Sequence, residues 1–175
     1  MSCFEKLKRE NGSKNLVSVG VVPKKKVRDI WSRKTGTSSS NIRGLSNVEK
    51  NHSHIILSNC EDWGQETQTM FSIADSLSKE AKVVCLVANG GKHSLKEVRF
   101  ALDRKFRLVC VHGTLLLADQ LAQLKLFGSI SDEKEVFVPK EDFLFFSRHE
   151  SLYVFPLFSS EIPIEKFVEK LLVQN

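Results

Sequence analysis

The fold of this 175-residue chain is best indicated by residues 82–126, which read KVVCLVANGGKHSLKEVRFALDRKFRLVCVHGTLLLADQLAQLKL. They contain two apolar runs, residues 82–87 and 107–111, and each run is followed by glycine and then by apolar residues at helical spacing. Near-continuous apolar runs of this length are typical of parallel strands that are covered on both faces. The repeated order of strand, glycine turn and helix therefore predicts an α/β fold with a Rossmann-like parallel sheet.

Elements on both sides of this stretch extend the pattern. Short β-branched runs predict strands, and apolar residues three and four positions apart predict amphipathic helices. The predicted strands outside the central stretch span residues 16–22, 54–58, 135–138 and 151–156, and the predicted helices span residues 67–79 and 163–173.

Within the central stretch, helices are predicted at residues 94–105 and 115–126. Ser94 followed by Glu97 has the spacing of a capping box, in which the serine caps the amino end of the helix and the glutamate bonds back. Helix capping therefore explains Glu97 without a catalytic role.

Length and composition indicate one globular domain. The chain is 41% hydrophobic and 27% charged, which is ordinary for a folded protein. We expect a single domain at residues 16–175, preceded by a mobile arm at residues 1–15. Few apolar residues occur between positions 24 and 50, so we expect a long loop there.

The charge pattern argues against nucleic-acid and membrane partners. The formal net charge is only +5, and most aromatic residues are phenylalanines in apolar runs that do not interleave with lysine and arginine. No apolar run approaches the roughly 18 residues of a membrane span. The basic cluster at residues 24–28, KKKVR, which follows Pro23, is similar to a nuclear-import signal, but we interpret it as a solvated loop. We therefore expect a cytoplasmic protein, with a nuclear location as the alternative.

Cysteine and histidine do not form a metal-binding pattern. The four cysteines, Cys3, Cys60, Cys85 and Cys110, are far apart in sequence, and a reducing compartment suits their use as free thiols. His52 and His54 alternate and could share a ligand on one face of a strand, but no third metal ligand is nearby. We predict no metal site.

The candidate ligand site follows from the two glycine turns. In open α/β sheets, ligands bind outside the carboxyl ends of the strands, where amide groups at helix amino termini favour anions. The sequence predicts a phosphate-type or nucleotide-type ligand between the turns, although each glycine turn alone is also explained as a sharp bend. The candidate residues are Gly90, Gly91 and Ser94 in the first turn and Gly113, Thr114 and Asp119 in the second.

Several segments resemble the LSDAT branch of the SLOG superfamily, which includes bacterial stand-alone domains and the cytoplasmic amino-terminal region of TRPM channels. Residues 51–57, NHSHIIL, and residues 63–67, WGQET, are similar to its NHSH and WG-E motifs. Residues 87–95, VANGGKHSL, resemble its first glycine turn, and residues 109–122 resemble its second.

The resemblance implies a Rossmann-like domain that senses a nucleotide-derived molecule such as ADP-ribose or an NAD-derived ligand, without catalysis. It adds His52, His54 and Glu66 to the candidate site. Protein partners or self-association remain open, and a ligand-free protein-interaction module is an alternative function.

The chain departs from the family in three places. Only about fifteen residues precede the strand at residues 16–22, so we expect the family's first strand–helix unit to be missing. Leu115 and Leu116 stand where the family has glycine and arginine, and His93 replaces a glycine of the first turn.

A catalytic alternative comes from the related LOG phosphoribohydrolases, whose PGGxGTxxE motif ends in a catalytic glutamate. Glu97 occupies that position here, but the proline and the third glycine of the motif are absent. Glu97 is a site residue only if the chain is such an N-glycosidic hydrolase.

Overall fold

The computed structural model describes residues 17–28, 45–48, 52–131 and 135–173. The arm predicted at residues 1–15 lies outside these ranges, as does most of the loop predicted at residues 24–50. The elements are β1 (Val19–Pro23), β2 (His54–Ser58), α1 (Thr67–Leu77), β3 (Val84–Val87), α2 (Lys92–Asp103), β4 (Arg107–His112), α3 (Leu116–Phe127), α4 (Phe143–Arg148), β5 (Leu152–Pro156) and α5 (Ile164–Val173), with 3-10 turns at Lys24–Lys26 and Lys140–Asp142.

The chain has a mixed α/β, Rossmann-like architecture in which helices accompany parallel strands, as the sequence predicts. It divides into two compact units, residues 1–72 and 73–175. None of the helices in the described ranges has the length and apolarity that a membrane-spanning segment requires.

The described part of the first unit contains a pair of parallel strands. β1 and β2 run side by side with Val19 opposite His54 and Pro23 opposite Ser58. The chain after β1 continues into the 3-10 turn, and Val27 then forms an isolated parallel bridge with Ser46. Val27 is only 3% exposed, so part of the segment predicted as a loop is anchored by a buried side chain.

The second unit contains a three-stranded parallel sheet in the order β3, β4, β5. Val87 of β3 pairs with Cys110 of β4, which confirms that the two apolar runs lie side by side in parallel. The central strand β4 is buried from Leu108 to Val111, as predicted. β3 is less covered than predicted, since it lies at the edge of this sheet and its Leu86 is 56% exposed.

Alternating residues of β4 and β5 form the core of this unit. Val109, Val111 and Phe155 pack with Leu171 of α5, and the rings of Phe155 and Phe167 meet edge to face at 5.4 Å. The intervening residues of β4 point to the opposite face because side chains alternate along a strand. Helices α2 and α3 also contact β4, so this strand is enclosed.

The capping box predicted at Ser94 is wrong, because α2 begins two residues earlier. Gly91 occupies the N-cap position, and among the described side chains none caps this end of the helix. Glycine is accepted at an N-cap without a side-chain hydrogen bond. Ser94 consequently lies inside the first turn of the helix.

The strand predicted at residues 135–138 is also wrong, because this segment forms its hydrogen bonds with a side chain and not with a neighbouring strand. Gln120 is fully buried; its Nε2 donates to the carbonyl oxygen of Glu135 at 2.7 Å, and its Oε1 accepts from the amide of Phe137 at 2.9 Å. One primary amide thus supplies the donor and the acceptor of a strand neighbour. This extended segment then leads into α4, a short helix that the sequence did not predict.

Candidate functional site

The two glycine turns lie next to each other at the carboxyl ends of β3 and β4. The amide of Asn89 in the first turn donates to Oγ1 of Thr114 in the second at 2.8 Å. The amide of Ala118 in α3 donates to the carbonyl oxygen of Asn89 at 2.9 Å. The structure therefore brings together the six candidate residues of the two turns at one edge of the sheet.

The first turn depends on Gly90 for its shape. Gly90 has a φ of 87°, a left-handed conformation that glycine adopts without steric cost. A Cβ atom at this position would lie 3.0 Å from Cβ and 3.1 Å from Oγ of Ser94. Ser94 thus closes over Gly90 from within the first helical turn, and a larger residue at position 90 would have to displace it.

The amino end of α2 is a positive site without an internal counter-charge. The first helical hydrogen bond runs from the Leu95 amide to the carbonyl oxygen of Gly91 at 3.0 Å, so the amides of Lys92, His93 and Ser94 precede it. Lys92 and His93 are exposed, and the first turn of α2, which the structure describes in full, contains no acidic residue. Amides, helix dipole and lysine all favour an anion here.

The second turn, in contrast, satisfies its own polar groups. Asp119 accepts the amide of Gly113 through Oδ1 at 2.7 Å, and Oγ1 of Thr114 donates to the carbonyl oxygen of Val111 at 2.7 Å. The amides at the start of α3 are also engaged, because Leu117 donates to the carbonyl oxygen of Gly90 at 3.3 Å and Ala118 to that of Asn89. The carboxylate of Asp119 already occupies the place of an anion at this helix terminus.

Leu115 carries backbone strain in the second turn. Its φ of 72° and ψ of 177° fall in a region that is almost restricted to glycine. Leu116 follows with a φ of 55°, also left-handed. The two side chains are 67% and 43% exposed, so the strain does not serve to bury them. The backbone keeps the glycine geometry that the family resemblance leads one to expect at position 115.

Phe158 lies against the second turn, and the sequence pattern did not indicate it. A Cβ atom on Gly113 would be 2.9 Å from two atoms of the Phe158 ring. The amide of Leu157 donates to the carbonyl oxygen of His112 at 2.9 Å, which fixes the chain after β5 beside the end of β4. The ring of Phe158 therefore occupies space that a side chain at position 113 would fill. Phe158 is nevertheless 84% exposed to solvent.

The histidine motif of the first unit has a structural explanation centred on Ser53. The Ser53 hydroxyl donates to the carbonyl oxygen of Ser18 at 2.8 Å and accepts from the Ser18 amide at 2.9 Å. His52 packs over Gly20, where a Cβ atom would lie 3.2 Å from its ring, and Nδ1 of His54 is 3.0 Å from Oγ of Ser53. The two histidines therefore make different contacts, and Ser53 joins the start of β2 to the start of β1.

Glu66 and the basic cluster also belong to the first unit. The carbonyl oxygen of Glu66 accepts the amide of Met70 in α1, and its side-chain atom Oε2 is buried and unpaired within the described structure. Lys25 forms an ion pair with Glu61, and Lys26 forms one with Asp62 at 2.6 Å. The participation of His52, His54 and Glu66 in a ligand site stays a prediction.

Two cysteines and Glu97 are further reactive side chains among the described residues. Burial raises the pKa of the Cys85 thiol to about 11 and raises that of Cys110 further, so both are protonated at neutral pH. Glu97 is a half-buried residue in the middle of α2. Within the described ranges no group of three histidine, cysteine or acidic side chains has the geometry to hold a metal ion.

A cleft of about 560 Å³ lies at the opposite, amino-terminal end of the sheet. Its walls include Lys79 and Lys105, which follow the carboxyl ends of α1 and α2, together with Glu80 and Glu150. Lysines at helix carboxyl ends neutralise the helix dipole, so these charges have a structural explanation. The cleft is open and of mixed charge, and we place the candidate site at the glycine turns instead.

Comparison with known proteins agrees with the geometry. A family model described as SLOG in TRPM, prokaryote, matches residues 7–159, which include both glycine turns and the histidine motif. The search of curated proteins found no match.

Proposed function

This chain belongs to the SLOG family that its sequence matches, and from that membership and the geometry of its turns we propose that it senses a nucleotide-derived molecule of the ADP-ribose type without catalysing a reaction. The observation that carries the proposal is the amino end of α2. Its first three amides precede the helical hydrogen bonds, Lys92 and His93 are exposed beside them, and the first turn, described in full, has no acidic residue.

The phosphate groups of the ligand bind to the first turn. Gly90 supplies the left-handed turn that presents the amino end of α2 to the phosphate, and Gly91 is the N-cap of that helix. Gly113, Thr114 and Asp119 act mainly as positioning residues, since their polar groups hold the second turn and tie it to the first. This assignment gives the two turns different tasks.

We propose the cytoplasm as the location of this protein. The ion pairs of Lys25 with Glu61 and of Lys26 with Asp62 give the basic cluster a structural role beside the nuclear alternative. A protein partner would take part in this function by binding beside the two glycine turns.

Calorimetric titration with ADP-ribose tests the proposal. Lys92→Glu removes a cation and adds an anion at the helix terminus, so we expect the Kd to rise about 10-fold. Lys96→Glu is the matched control, since it changes the net charge equally on the same helix beyond its first turn, and we expect less than a roughly 3-fold effect. Absence of binding by the wild-type protein at millimolar ligand, or equal effects of the two variants, would refute the proposal.

A further inference from the structure

We propose that Phe158 is the platform on which the flat ring of the ligand stacks, and that it favours ligands carrying a purine base. This inference rests on the proposed function, because it names the part of the ligand that the phosphate site does not hold. It concerns the end of β5, a position outside every motif that suggested the site.

The exposure of Phe158 is the first observation. The side chain is 84% exposed although one edge of the ring lies against Gly113. Stacking on a flat ligand would therefore remove apolar surface of this side chain from water and would break few packing contacts within the protein. Aromatic rings in such positions stack with bases, whose faces are all of the π type.

The position of Phe158 along the sheet edge is the second observation. The first glycine turn follows β3, the second follows β4, and Phe158 follows β5, in the spatial order of the three strands. Neighbouring strands are about 4.8 Å apart, so a ring that follows β5 and lies against Gly113 at the end of β4 is about 5–10 Å from the phosphate site. A nucleotide spans such a distance between its phosphates and its base.

The character of the middle position supports the same orientation. The amides of Gly113, Leu117 and Ala118 are already bonded within the protein, and Asp119 adds a negative charge. A second phosphate is therefore disfavoured at the end of β4. The anionic part of the ligand has one favourable place, beside α2, and the apolar part has the other, beside β5.

Exposed apolar neighbours extend the platform. Leu115 is 67% exposed and lies two residues after Gly113. Leu157 is 44% exposed and directly precedes Phe158, whose ring lies against Gly113. Single exposed apolar residues need no explanation, but a group at the edge where ligands of open α/β sheets bind indicates a contact surface. The strained backbone of Leu115 keeps its side chain at this surface.

Stacking on phenylalanine predicts a particular selectivity. The ring has no hydrogen-bonding group, so it distinguishes bases by the area of their faces. We expect purine nucleotides to bind more tightly than pyrimidine nucleotides, with little difference between adenine and guanine.

A comparison of AMP with ribose 5-phosphate isolates the base, because the two molecules share the sugar and the phosphate. Phe158→Ala should weaken AMP binding by roughly 5- to 100-fold. Its effect on ribose 5-phosphate should stay below about 2-fold, since no base is present to stack. Phe158→Trp should retain AMP binding, and Val173→Ala, which removes an exposed apolar side chain at the carboxyl end of α5, should leave both affinities unchanged.

The outcomes separate the two proposals. If the wild-type protein binds AMP and Phe158→Ala leaves the affinity unchanged, or weakens both ligands equally, the platform is wrong while the phosphate site stands. If the wild-type protein binds neither molecule at millimolar concentration, the proposed function fails and the platform fails with it.

Discussion

Leu115 shows most clearly how single residues were adapted at this site. Its backbone has dihedral angles suited to glycine, and its side chain is mostly exposed. Strain of this kind costs about 1–3 kcal/mol and is kept where the surrounding structure or the function requires it. The family resemblance pointed to position 115 as a glycine replacement, but the backbone angles that make the replacement costly come only from the structure.

We predict that Leu115→Gly raises the free energy of unfolding by about 1 kcal/mol, because relief of strain exceeds the entropic cost of glycine. Urea denaturation measures the change. Leu126→Gly is the control, since this leucine is similarly exposed but helical, and we expect a loss of about 1 kcal/mol. A loss of stability in both variants would show that Leu115 is not strained.

Sequence reasoning found part of the site at this scale. The glycines at positions 90 and 113 were predictable, because a break after a buried strand must be a turn. Lys92 was within the quoted motif but not singled out, and His93 was noted only as a departure from the family, since the predicted capping box placed the helix start too late. Phe158 could not be found, because its role depends on the order of the strands and on the room left at Gly113.

At the scale of elements, the segment between α3 and α4 shows how tertiary contacts override local pattern. Residues 135–138 have the composition of a strand, but the buried amide of Gln120 takes the hydrogen bonds that a strand would make. Phe137 of this segment also lies near Gly91, where a Cβ atom would be 3.7 Å from its ring. The segment therefore connects the body of α3 with the first glycine turn.

We predict that Gln120→Leu lowers the free energy of unfolding by roughly 1–3 kcal/mol, because it leaves a backbone donor and an acceptor without partners. Denaturant titration measures the loss. Gln123→Leu on the same helix removes the bonds to exposed Ser131, so it should cost less than about 1 kcal/mol. Equal losses in the two variants would show that the buried amide does not hold the segment.

The short helix α4 was missed for a related reason. It has six residues, too few for a helical period, and its stability comes from packing. Phe146 is fully buried, Asp142 forms an ion pair with Arg99, and the guanidinium of Arg99 lies 5.2 Å from the centre of the Phe145 ring. Contacts between residues forty positions apart leave no local signal.

At the scale of the whole molecule, the parallel order of the strands was predictable, and the single domain expected at residues 16–175 stays a prediction. The apolar runs at β3 and β4 and the later strand β5 have the residue types and spacing that a parallel sheet requires, and the structure confirms their parallel pairing. The boundary between Ser72 and Ile73 falls within the predicted helix α1, where the sequence shows neither glycine nor proline. Compactness depends on contacts that composition does not encode.

The proposed function requires a first glycine turn that is open to an anion and a second turn whose polar groups are bonded within the protein. Amide chemical shifts measured by NMR during titration with inorganic pyrophosphate, which has no base, distinguish the two turns. We predict that the largest shifts occur at Lys92, His93 and Ser94, and that Gly113, Leu117 and Ala118 change little. The largest shifts at Gly113, Leu117 and Ala118, or no shifts at either turn, would contradict the account.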